Sequence, residues 1–460
     1  MAGKREKKVH LVSLGCDKNL VDSEKTLGLM YRAGYSFTDE PAEADVIIIN
    51  TCCFILDAKE ESVQKLIEMA ELKDRARRHK PLLVVMGCMA ERYRQEILEE
   101  LPEVDVILGA NTWQDILEAI GQKLSQQEPV QKYRDISENV FLSKPVRERS
   151  VSGSGHYAYL KIAEGCGKNC TYCIIPSLKG SYRSAPMEDL EAEARDLAAL
   201  GVKELILIAQ ETTLYGVDLY GKKMLPELLR RLHGIDGLEW IRLMYCYPEE
   251  ITDELVETMR QLPKVCHYID MPIQHASDHI LRRMARRTTR AEITERIHRI
   301  RQMIPDIIIR TTMISGFPGE TDADHQKLME FVRDMEFDRL GDFEYSREEG
   351  TRAAGYSHQV SAKNKAARRA EIMQLQQQIA WRKAAERIGT ELTVMIEGRL
   401  TEEDGDASDG YVYVGRTYMD APDVDGYIYV EAGHRELMTG DMIRARVTGA
   451  HEYDLLGELI

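Results

Sequence analysis

Cys166-Gly-Lys-Asn-Cys170-Thr-Tyr-Cys173 places three cysteines within eight residues, with Gly165 before them and Ile174-Ile175-Pro176 after. A short irregular loop at this spacing turns all three sulfurs towards one centre. Thiolates prefer soft metals, so zinc and iron–sulfur clusters are the candidates. Structural zinc takes four protein ligands, and no fourth cysteine or histidine follows at zinc-finger spacing. A 4Fe–4S cluster held by three thiolates keeps one iron open to a further ligand.

Upstream, residues 9 to about 125 alternate strand and helix. Short runs rich in Val, Ile and Leu read as strands at Val9–Leu14, Asp45–Asn50, Leu82–Met86 and Val104–Leu108. Helical stretches separate them at Val21–Arg32, Ala58–Leu72 and Ala90–Leu101. Such alternation predicts an open parallel sheet covered by helices. Cys16, Cys52 and Cys88 each follow one of the first three strands, at an equal spacing of 36 residues. Ligand sites of open α/β sheets lie past strand carboxyl ends, so three distant thiols are expected on one sheet edge. They suggest a second cluster, again with an iron lacking a protein thiolate, against the alternative of ordinary buried cysteines. Cys53, beside Cys52, reads as a packing residue, since adjacent side chains leave the backbone in different directions.

The chain has 460 residues, 43% of them hydrophobic, enough for two or three domains with their own cores. Nine cysteines in this length do not read as a disulfide framework. Met1 to Lys8 is basic, but a strand-like run follows in place of a signal-peptide apolar core. No apolar run approaches membrane-spanning length. The expectation is a soluble protein in a reducing cytoplasm, where cysteines bind metal more often than each other.

The anticipated domains are 1–125, a flexible linker over 126–154, a core with a connecting helix over 155–388, and a terminal module over 389–460. In the core, strands are expected at Tyr157–Ile162, Glu204–Ala209, Trp240–Met244, Tyr268–Met271, Ile307–Met313 and Leu340–Tyr345. Six βα units suggest a partial (β/α)6 barrel with its site at the strand carboxyl ends. Polar residues stand there: Gln210 and Glu211, then Arg242 and Tyr245, then Gln274 and His275, then Arg310. His275 reads as a hydrogen-bonded structural residue. Arg282, Arg283, Arg286, Arg287 and Arg290 read as a solvated helix face, with an acidic substrate or RNA as the sharper alternative. Lys363 to Ile388 is a long helix on which Met373, Leu375, Ile379 and Trp381 read as packing residues. Past Gly389 the pattern switches to period two with Gly-rich turns, predicting a small antiparallel β-barrel.

The cysteine loop resembles the signature of radical S-adenosylmethionine (SAM) enzymes. Leu14-Gly-Cys16, Asn50-Thr-Cys52 and Met86-Gly-Cys88 match the amino-terminal domain of methylthiotransferases within that superfamily. The resemblance spans roughly residues 8 to 459, and the terminal barrel resembles the OB-like TRAM domain. It implies two 4Fe–4S clusters, ligated by Cys166, Cys170 and Cys173 and by Cys16, Cys52 and Cys88. It implies SAM both as radical source and as methyl donor, with Tyr172, Gln210, Glu211, Arg242, Gln274 and Arg310 as candidate contacts. For Arg310 a SAM carboxylate and a structural acid are equal alternatives. The two clusters are expected to face each other, with an electron donor and a sulfur source outside the chain.

Two branches of this family share the domain order: MiaB-like enzymes modify tRNA adenosine, and RimO-like enzymes modify the β-carbon of an aspartate in small-subunit ribosomal protein S-twelve. The formal net charge is −16, and from Glu391 onward sixteen acidic residues face five arginines. Glu402-Glu-Asp404, Asp406, Asp409, Asp420, Asp423 and Asp425 fall in loops. An RNA-binding barrel needs a positive groove to displace counterions. An acidic one disfavours tRNA and attracts a basic ribosomal protein, the plainer alternative being a solubilising surface. Gly415 to Gly426 is close to the RimO-like pattern. A non-enzymatic iron–sulfur carrier is the remaining alternative, and it would not cleave SAM.

Overall fold

The computed structural model describes residues 6–76, 80–136, 138–143, 149–153, 155–400 and 410–460. They form two compact units. The first takes the described residues up to Ser152, with Lys161–Asp189 and Ser346–Ala354; the second takes Gly153–Leu160, Leu190–Tyr345 and Gly355–Ile460.

The first unit is built on strands β1 (Lys7–Ser13), β2 (Tyr35–Phe37), β3 (Val46–Thr51), β4 (Leu82–Gly87), β5 (Val106–Leu108) and β6 (Val130–Lys132). Their order is β2-β1-β3-β4-β5-β6, and every pairing is parallel. β3 is buried at all six positions, as a central strand covered on both faces must be. One apolar cluster fills each face, Ile47, Ile49, Leu83 and Val85 on one side and Val46, Ile48, Val84 and Val106 on the other.

Three details depart from the sequence expectation. The helix anticipated over Ala90–Leu101 is two, Cys88–Arg92 and Arg94–Glu100, broken at Tyr93. The stretch 126–154 is not a plain linker: Val130–Lys132 completes the sheet. Nor is its end loose, since buried Arg149 pairs with Glu24 at 2.6 Å and the Ser152 N–H donates to the same carboxylate at 2.8 Å.

After β7 (Tyr157–Lys161), the short strands β8 (Ala163–Glu164) and β9 (Arg183–Ser184) pair antiparallel and close off the cysteine loop at its base. β10 (Glu204–Ile208), β11 (Trp240–Leu243), β12 (Val265–Asp270), β13 (Ile308–Ser315) and β14 (Arg339–Glu344) follow. Sheet order β14-β13-β12-β11-β10-β7 keeps sequence neighbours adjacent, as an opened βα barrel requires. The arginine run does not form one helix face. It crosses the joint between Asp278–Arg283 and Arg290–Met303. Arg286 is buried over the Tyr247 ring, Arg283 donates to the Pro318 carbonyl and Arg290 reaches Asp334. On the helix Ala362–Ala385, Ile379 packs as expected, but Trp381 is 44% exposed.

The terminal barrel closes through β15 (Glu391–Arg399), β16 (Val412–Arg416), β17 (Ile428–Glu431), β18 (Met442–His451) and β19 (Asp454–Leu459). β19 is the strand the sequence reading lacks, and it pairs parallel to β17 in an otherwise antiparallel barrel. Of the acidic loop residues, 402, 403, 404, 406 and 409 lie outside the described residues. Asp420 and Asp425 do not form a display surface, whereas Asp423 is exposed. Asp420 pairs with Arg339 at 2.5 Å, Asp425 accepts from Tyr268 Oη at 2.7 Å, and Asp423 accepts from Tyr157 Oη at 3.2 Å.

Candidate iron–sulfur site

Because β1, β3 and β4 are adjacent and parallel, the residues following them share one sheet edge. Cys16 is the N-cap of the helix Asp17–Arg32, Cys52 follows Thr51, and Cys88 opens the helix Cys88–Arg92. Two glycines let the three turns crowd together. Gly15 has φ +86°, and a Cβ there would lie 2.5 Å from Cys52 Cβ and 2.7 Å from its Sγ. At Gly87, φ +94°, a Cβ would meet Asn50 Oδ1 at 2.3 Å. A glycine is needed at both positions for conformation and for space.

Side chains then pin the turns to one another. Asn19 Nδ2 donates to the Leu14 and Thr51 carbonyls at 3.0 and 3.1 Å. Thr51 Oγ1 donates to the Met86 carbonyl at 2.6 Å. Ser62 Oγ accepts from the Cys52 N–H at 3.0 Å and donates to the Cys52 carbonyl at 2.8 Å. Cys16 is exposed while Cys52 and Cys88 are buried. Burial pushes the Cys52 and Cys88 thiols up, and Lys179 opposes it at both. Cys53 is fully buried in the apolar cluster with Leu14 and Ile49, its thiol pushed to about 11, and packs as expected.

The second trio sits in the loop closed by β8 and β9. The Cys166 N–H donates to the Gly180 carbonyl at 3.1 Å, and Cys173 N–H to the Cys170 carbonyl at 3.2 Å. Gly165, φ +78°, lies against the Ser181 carbonyl, where a Cβ would come within 2.2 Å. The Ala353 N–H donates to the Thr171 carbonyl at 2.8 Å, and Arg352 donates to that of Asn169. Burial pushes Cys173 up to about 12, with Cys170 and Cys166 next to it.

The two trios share a wall. The helix Ile175–Lys179, which begins two residues after Cys173, packs against Cys88–Arg92. Ile174 and Leu178 lie in the same apolar cluster as Leu14, Cys88 and Met89. Among the described residues no three thiol, imidazole or carboxylate groups close on a single metal ion. A cluster asks for a wider arrangement, each thiolate taking a different iron, and two all-thiol sets fit that chemistry.

The candidate SAM contacts divide. Tyr172 is half-buried within the loop. Gln210 and Gln274 are half-buried just past β10 and β12, Gln274 at φ +76°. Glu211 is instead buried, and its carboxylate accepts from the N–H and hydroxyl of Thr213. Arg242 is fully buried, pairs with Glu204 at 2.6 Å and donates to the Tyr418 carbonyl at 2.6 Å. Arg310 pairs with Asp270 at 2.8 Å and Asp425 at 3.4 Å. Guanidiniums so engaged serve internal ion pairs, which favours the structural alternative for Arg310 and argues against Arg242 as a ligand contact. His275 accepts from the Ser277 N–H at 2.9 Å, as a structural histidine does. Sequence reasoning missed Asp22, Lys161, Glu164 and Lys179, a buried charged group beside the first trio. Their spacing carries no motif.

Residues 8–109 match the Uncharacterized protein family UPF0004, 160–332 the Radical SAM superfamily and 388–460 the TRAM domain. Among solved structures, the radical SAM methyltransferase TsrM from Kitasatospora setae shares the fold, with a TM-score of 0.56 at 15% identity over 73% of each chain. The cobalamin-dependent SAM radical enzyme OxsB gives 0.52 at 14% over 80% of this chain and 56% of that one. Relatives named "Ribosomal protein uS12 methylthiotransferase RimO" align nearly end to end. That of Lachnoclostridium phytofermentans is 54% identical over 98% of this chain and 99% of its own. That of Geobacter sulfurreducens is 46% identical over 99% of both. With three matched domains in this order and identity of this extent along the whole length, the chain belongs to the RimO family of radical SAM methylthiotransferases.

Proposed function

We propose that this chain transfers a methylthio group to the β-carbon of an aspartate in ribosomal protein uS12. The observation that carries the reading is the placement of both cysteine trios in one compact unit, joined by a shared apolar wall. Cys166, Cys170 and Cys173 would hold the cluster that binds SAM, and Cys16, Cys52 and Cys88 a second one. When bound, these groups and SAM supply the radical, the sulfur and the methyl group. The protein's own part is to hold the sulfurs in turns pinned by side-chain and backbone hydrogen bonds. Tyr172, Gln210 and Gln274 are the candidates for contacting SAM. An external electron donor and a sulfur source complete the reaction, in a reducing cytoplasm that keeps the thiols free. No described helix is long and apolar enough to cross a membrane.

The relatives' name supports the substrate, and the charge of the terminal barrel supports it further. With Asp420 and Asp425 engaged internally, attraction for a basic protein falls to exposed Asp423, Glu431, Glu436 and Glu452 and to the acids between 402 and 409. The test is anaerobic reconstitution with SAM, reductant and sulfide, offering uS12 and tRNA in parallel. Mass spectrometry should find the methylthio group on uS12; its appearance on tRNA alone would overturn the substrate assignment.

A further inference from the structure

Ammonium groups are almost never fully buried unless paired, and the first unit buries two of them together. The Lys161 and Lys179 side chains are 2% and 3% exposed. Lys161 bonds directly to Asp22 and to Glu164, the latter at 2.8 Å. Lys179 stands further off, 3.7 Å from Asp22 and 3.6 Å from Glu164, beyond hydrogen-bonding distance of either. It is held by their charge while its N–H groups remain free of them.

Lys179 lies on an element that packs against those of the first cysteine trio. It ends the helix that packs on Cys88–Arg92, and its neighbour Leu178 shares the apolar cluster with Cys88 and Leu14. Asp22 lies on the helix capped by Cys16.

We propose that Lys179 is a positioning residue for the Cys16–Cys52–Cys88 centre: its buried ammonium, fixed by Asp22 and Glu164, supplies a permanent positive charge that favours the reduced, more anionic state of the sulfur-ligated group there. The inference rests on the reading that these thiols hold a second cluster. Cluster potentials respond to nearby net charge, and a cation stabilises the form that has gained an electron. Exchanging Lys179 for a neutral residue removes that cation and leaves Asp22 and Glu164 balanced by Lys161 alone, a net change of one negative charge.

The test is an anaerobic redox titration of the full chain followed by electron paramagnetic resonance, with iron and sulfide measured on each sample. Lys179→Met should keep two clusters and shift the reduction of one of them at least tenfold towards the oxidised form, about 59 mV for one electron. Lys179→Arg should restore it. Lys161→Met, which makes the same charge change on the lysine bonded directly to Asp22, should move it less. If Lys179→Met fails to load iron, Lys179→Gln makes the same charge change with a polar side chain in place and carries the same measurement. Two clusters with unchanged potentials would overturn the inference alone. A single cluster in the wild-type chain would remove the second centre, and the inference with it.

Discussion

At Gly15 one missing methyl group decides whether three turns meet. A Cβ there would overlap both Cβ and Sγ of Cys52 and would also strain a backbone at φ +86°. Gly15→Ala should therefore lose the iron held by the first trio and retain that held by Cys166, Cys170 and Cys173. Iron analysis paired with 5′-deoxyadenosine production reads the two separately: SAM cleavage should persist while sulfur transfer to uS12 falls at least tenfold. The grouping of Cys16, Cys52 and Cys88 at one sheet edge and of Cys166, Cys170 and Cys173 in one loop was legible because cysteine spacing survives without knowledge of contacts. The 36-residue period reports one βα unit, and the short loop reports one turn. Lys179 was not legible. A lysine four residues past Ile175 in a short helix has no sequence mark that separates a buried cation from a solvated one. Arg242 misled for the opposite reason, since its place on a strand says nothing of Glu204 beside it.

Among the elements, β13 and β14 carry a testable charge. Burial pushes the Asp342 carboxyl up to about 7, with Glu320 adding to it, although Ser315 Oγ donates to it at 2.6 Å. A folded-state value above the unfolded one means that the native chain holds the extra proton. This contribution to stability is therefore complete below the ordinary carboxylate range, near 4, and is lost as pH rises towards about 7. Asp342→Asn should flatten that dependence and raise the melting temperature at pH 8 relative to wild type, with little change at pH 5. Thermal melts across this range check it, and equal slopes for the two proteins would contradict the assignment. At this scale the long, strongly patterned strands were readable to within a few residues. The strands Tyr35–Phe37 and Val130–Lys132 were not, because neither lies in an apolar run like that of Val106–Leu108 and pairing alone creates them. The arginine run failed as a helix face because Ala285, at φ +57°, turns the chain in its middle.

Across the molecule, the second unit is tied internally by buried ions. Glu204 lies between Arg242 at 2.6 Å and Arg416 at 2.8 Å, all three fully buried. Burial alone would push the Glu204 carboxyl up, yet the two guanidiniums hold it below the usual range. Glu204→Gln would strand the buried Arg242 guanidinium while Arg416 keeps Glu397 at 2.5 Å, a change that costs about 3–5 kcal/mol where a buried pair is broken. Chemical denaturation should show that loss for the second unit, while the iron content of the first stays unchanged. The domain order was visible from the change of hydrophobic period along the chain. That Asp420 and Asp425 turn inward to Arg339 and Tyr268 was not, since net charge records number and not direction.

The central claim is that six thiols hold two clusters, and metal content tests it most directly. After anaerobic reconstitution, wild type should carry two four-iron clusters per chain, and the triple exchange of Cys16, Cys52 and Cys88 to Ala should carry one and still cleave SAM. Equal iron in the two proteins would contradict the account.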